Sequence, residues 1–80
     1  MLLEYIQAAL RHAKYEMIQQ ETRFYGEITD CRGVYAEADN LEACRRELQE
    51  VLEEWILFRV HRNLPLPEIE GHRLQIKEMA

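Results

Sequence analysis

Several side chains in this sequence are of types that do chemistry, and their spacing limits what that chemistry can be. A two-metal nuclease needs several carboxylates converging on ions roughly 4 Å apart. Glu16, on a predicted first strand, and Glu47, on a predicted helix, are the acids available, and the predicted last strand, Leu74 to Lys77, carries none. Each is more simply read as a solvated residue. Cys31, Cys44, His12, His61 and His72 offer zinc-ligand chemistry, but no pair has CxxC or HxxxH spacing. Cys44 falls on an apolar helical stripe and reads as core, and His61 sits where a helix ends. No catalytic residue, cofactor or metal is expected, so the chain reads as a non-enzyme. The residues point instead to a binding surface. Tyr25, Glu27, Tyr35 and Glu37 alternate along two strands and share one sheet face. Tyrosine supplies contact area and glutamate supplies complementarity to a basic partner. An ordinary solvated face accounts for the same residues equally well.

The elements that position these residues follow from periodicity. Leu2, Leu3, Ile6, Ala9, Leu10 and Ala13 recur at helical spacing and predict a first helix from Met1 to about Ala13. Lys14 to about Glu21 alternates, which fits either an extension of the helix or, the preferred reading because a good partner strand follows directly, a strand. Phe24 to Thr29 is its partner, with Phe24, Gly26 and Ile28 on one face and Tyr25, Glu27 and Thr29 on the other. Asp30-Cys31-Arg32-Gly33 reads as a loop in which Gly33 permits positive φ. Val34 to Ala38 is a third strand and a candidate sheet edge, and its small alanines call for a bulky element above them.

That element is a long helix from about Asn40 to Arg62, roughly 34 Å at 1.5 Å per residue. Asp39 or Asn40 caps it, with Glu42 placed for a capping box. Its apolar stripe is Leu41, Cys44, Leu48, Val51, Leu52, Trp55 and Phe58. Trp55 and Phe58 read first as core. Ile56 or Phe58 widens the stripe enough to reach a neighbouring subunit. Asn63 suits a left-handed stop and Pro65 prevents continuation. Leu74 and Ile76 alternate with polar residues and predict a short last strand. The expected order is helix, three meandering antiparallel strands, long helix, strand. The crossover would lay the last strand parallel to the first, on its free side.

Eighty residues make one domain, 1–80. A chain this short buries roughly 60–65% of its unfolded surface, so an oligomer or a bound partner is a natural source of added stability. The formal charge of −5 disfavours nucleic acid as the main partner and favours a basic protein. No apolar run approaches the ~20 residues of a membrane span, and no signal-peptide pattern opens the chain. A cytoplasmic location with reduced thiols is the expectation.

The motifs also resemble one family. Tyr25-Gly26-Glu27-Ile28, Gly33-Val34-Tyr35-Ala36, Leu41-Glu42 with Glu47-Leu48 and Trp55, and Leu64-Pro65-Leu66-Pro67 resemble HicB-like antitoxins of type II toxin–antitoxin systems. The opening Tyr5-Ile6-Gln7-Ala8-Ala9-Leu10 and Ala13-Lys14-Tyr15-Glu16 are similar to one branch of them. The resemblance implies a truncated RNase-H-like core within the α/β (α+β) class. It also implies a non-catalytic role, covering the catalytic histidine of a small basic RNA-cleaving toxin (HicA-like). A dimer or tetramer is expected from the shortness of the chain and the breadth of the apolar helix face. The alternatives are an orphan structural or regulatory oligomer of the same fold that binds another partner, and a degenerate RNase-H-like nuclease. The usual Pro-Gly-rich loop before the third strand survives here only as Gly33. No helix-turn-helix or ribbon-helix-helix domain is expected in 1–80, so direct nucleic-acid binding is not.

Overall fold

The computed structural model describes residues 2–18, 20 and 22–73. It has the order α1 (Leu2–Arg11), β1 (Lys14–Ile18), β2 (Arg23–Glu27), β3 (Tyr35–Ala38) and α2 (Leu41–His61). The strands form one antiparallel meander, β1-β2-β3. The predicted last strand, Leu74 to Lys77, lies outside the described residues.

The sheet has a small-residue floor. Gly26 pairs with Ala36, and Phe24 with Ala38. Gly26, Ala36 and Ala38 are buried, and α2 lies across β2 and β3 above them. A Cβ on Gly26 would stand 2.7 Å from the Tyr15 ring and 3.2 Å from Cys44 Sγ, so only glycine admits both neighbours. Gly33 closes the β2–β3 loop at φ +92°, which other residues adopt only with strain.

α2 begins at Asn40, whose side-chain oxygen accepts the Ala43 N–H at 2.8 Å. Asp39 instead binds Arg23. Asn40→Ala should therefore lower stability by about 1 kcal/mol, read as a reduced urea midpoint with an unchanged m-value. At the other end Asn63 adopts φ 56° and stops the helix.

Two expectations about faces are corrected. On α2 the buried series is Cys44, Leu48, Leu52 and Ile56. Four-residue steps drift around a 3.6-residue helix, and α1 packs along the flank toward which they drift. Ile56 is thus 3% exposed and belongs to the core, while Phe58 is 52% exposed with the Arg62 guanidinium 5.0 Å from its ring centroid. Trp55 is half-buried against the core, and its indole N–H donates to the Arg32 carbonyl at 2.9 Å.

On α1 the buried residues are Tyr5, Ile6, Ala8 and Ala9, and Leu2 and Leu3 are exposed. Tyr5 enters the core because its hydroxyl has a partner: it donates to the Pro67 carbonyl at 2.5 Å. That bond holds the Pro-rich exit against α1, beside the buried Ile69. Burial first, then nearby Cys31 and Asp30, pushes the Tyr5 phenol up to about 12, and burial likewise pushes the Cys31 thiol up to about 11. Unfolded, these groups ionise near 10 and 9. The folded chain therefore keeps protons that the unfolded chain loses, and stability should fall as pH rises between about 9 and 12. Tyr5→Phe should remove the upper part of that fall. At neutral pH it should cost about 1–2 kcal/mol by orphaning the Pro67 carbonyl. Urea unfolding across that pH range measures both.

Candidate functional site

α2 covers one side of the sheet over β2 and β3, and α1 packs against α2. Among the described residues no element covers the other. Strand alternation and register define what that open face presents. Glu16, Tyr25 and Glu37 form one row across the three strands, and Lys14, Glu27 and Tyr35 form the next. The Tyr25 and Tyr35 rings stack at 6.3 Å between centroids and 26° between planes. The Tyr25 hydroxyl donates to Glu27 Oε2 at 3.3 Å. Tyr35 is 59% exposed. Partial desolvation, with the Glu27 carboxylate next, raises the Tyr25 phenol above its ordinary value.

Tyr25, Glu27, Tyr35 and Glu37 are therefore one contiguous surface. The sequence did not reveal the ion pair at its end. Arg23 Nε donates to Glu37 Oε1 at 2.6 Å, and its Nη1 reaches Asp39. Arg23 thus offsets part of the acidity of this face and fixes the direction of Glu37. The chemistry available is docking by stacked aromatic area, with carboxylates placed to meet cations.

The other predicted chemistry is not assembled. Glu16 stands on the open face, whereas Glu47 is on α2, over the opposite one. Cys31 and Cys44 are buried, and the Cys44 thiol donates weakly to the Ala36 carbonyl at 3.6 Å. His12 lies between two carboxylates, with Nδ1 2.8 Å from Asp30 Oδ2 and Nε2 3.0 Å from Glu70 Oε2. Among the described residues no three His, Cys, Asp or Glu side chains could jointly hold a metal ion. Nor is any described helix long and apolar enough to cross a membrane.

The comparisons with known proteins agree on kinship. The UPF0150-like family profile matches residues 4–67. The chain belongs to the UPF0150-like family. It is also similar to the crystal structure of TTHA0281 from Thermus thermophilus, at 36% identity and a TM-score of 0.89. The match covers 96% of this chain and 95% of that one. No curated protein matches. Family membership thus fixes the small α+β architecture and leaves the role of this UPF0150-like chain to be argued from its surface.

Proposed function

We propose that this UPF0150-like chain is a HicB-like, non-catalytic antitoxin module that neutralises a small basic RNA-cleaving toxin by covering its active site. The observation that carries this reading is the uncovered sheet face, where Tyr25, Glu27, Tyr35 and Glu37 adjoin in register. An aromatic pair flanked by carboxylates suits a cationic protein surface of the kind an RNA-cleaving enzyme must have to hold its phosphates. The overall charge of −5 adds long-range attraction. In this reading the meander is a truncated RNase-H-like core. The chain acts as a homo-oligomer in the cytoplasm and does not itself bind nucleic acid. The exposed Phe58 and its neighbour Leu57 provide apolar surface for self-association.

The test is co-expression with a very short basic protein encoded beside this chain. Growth rescue and co-purification are the expected results. Toxicity unrelieved by the chain, with no complex recovered, excludes the antitoxin role. RNA cleavage by the purified chain that requires a divalent metal would replace it with an enzyme.

A further inference from the structure

The side of the molecule away from the open face carries a second site. A cleft of about 520 Å³ lies between the end of α1, the start of β1 and the first half of α2, within the size range of small-molecule sites. Arg11, Arg45 and Arg46 line it, and its apolar wall comes from Leu10, Leu41 and the Tyr15 ring. In a chain of net charge −5, one concavity lined by three arginines is out of keeping with the rest.

The three cations are not equivalent. Arg11 grips the Glu70 carboxylate, with Nε at 3.2 Å and Nη2 at 2.6 Å, so its charge is already matched. Arg45 lies against the Tyr15 hydroxyl. Neither Arg45 nor Arg46 has a carboxylate within ion-pair distance among the described residues, although Glu42 shares the cleft wall. A guanidinium fork matches the oxygens of a phosphate or carboxylate bidentately, and Arg45 and Arg46, successive residues of α2 that both line the cleft, approach it from different directions. The wall beside them suits an apolar or aromatic body.

We infer that this cleft binds a small organic anion, an apolar or aromatic group bearing a phosphate or carboxylate, with Arg45 and Arg46 holding the anionic end. The inference is independent of the antitoxin reading, because this site and the open sheet face lie on opposite sides of the sheet.

Titration with phenyl phosphate, followed by amide chemical shifts of the full chain, tests it. Saturable shifts confined to residues 10–15 and 41–49 are expected, with a dissociation constant in the millimolar range or below. Inorganic phosphate and phenol, each lacking half of the ligand, should bind at least tenfold more weakly. Phenylacetate, carrying a carboxylate instead, distinguishes the two anion types, and saturable binding of either one supports the site. The double variant R45Q/R46Q should weaken binding at least tenfold while keeping the spectrum of a folded chain. If that variant does not fold, R46Q alone serves, since Arg46 has no bonded partner among the described residues. The inference is overturned if neither ligand gives saturable shifts, if the shifts map elsewhere, or if the folded variant binds as well as the parent.

Discussion

Replacing Leu48 with alanine should destabilise the domain by about 2–5 kcal/mol. Leu48 is fully buried at the middle of α2. The cost depends on how far the surroundings can close over the lost isobutyl group. The floor beneath α2 is built from Gly26, Ala36 and Ala38, whose side chains are too short to swing into a void. The cavity should therefore persist, and the loss should fall in the upper part of the range. A domain of this length is stable by only about 4–12 kcal/mol in total. The variant should thus unfold at a much lower urea concentration and populate unfolded chain measurably without denaturant. Glu50→Ala is the internal control, because Glu50 lies on the same helix but is exposed. It should change stability by no more than about 0.5 kcal/mol. Equal effects of the two substitutions would mean that α2 packs through a different face.

How much of this was legible in the sequence depends on how local each signal was. The meander was readable because Phe24, Gly26 and Ile28 alternate with Tyr25 and Glu27, and period two has only one structural meaning. The limits of α2 were readable because Asn40 and Asn63 carry their reasons in their own side chains and backbone. The α1 stripe was misread by counting apolar residues. Tyr5 looks amphipathic in sequence, and only the Pro67 carbonyl, sixty-two positions away, makes its burial favourable. Ile56 is core where a surface role was expected, and Phe58 is exposed where core was its first reading, for a similar reason. Both are compatible with a broad apolar face, and the position of α1 decides between them. Arg45 and Arg46 lie off the apolar stripe and look ordinary in sequence until the end of α1 is placed opposite them. The bonds from Arg11 and His12 to Glu70 span too much chain for any window to reveal. Local rules delivered the elements, and the surfaces between elements required the fold.

Reversing both acids of the open face, as E27K/E37K, should weaken binding of the proposed basic partner on the order of a hundredfold. Two effects act together. Each substitution replaces an attraction by a repulsion, and long-range steering is reduced, so the deficit should appear largely in the association rate and shrink as salt is added. Folding should be little affected, because exposed ion pairs such as Arg23–Glu37 contribute little to stability. Loss of the Arg23 contact is a separate matter, since Glu37 is held in place by it. Arg23→Ala isolates that contribution, and it should alter affinity much less than the double reversal while leaving the acidity of the face intact. Tyr35→Ala, which removes an exposed ring from the stacked pair, should act mainly on the dissociation rate, as loss of buried contact area does. Measuring association and dissociation rates at two salt concentrations separates the three cases. Wild-type affinity in E27K/E37K would remove this face as the docking surface, whereas a deficit insensitive to salt would point to local contacts instead of field effects.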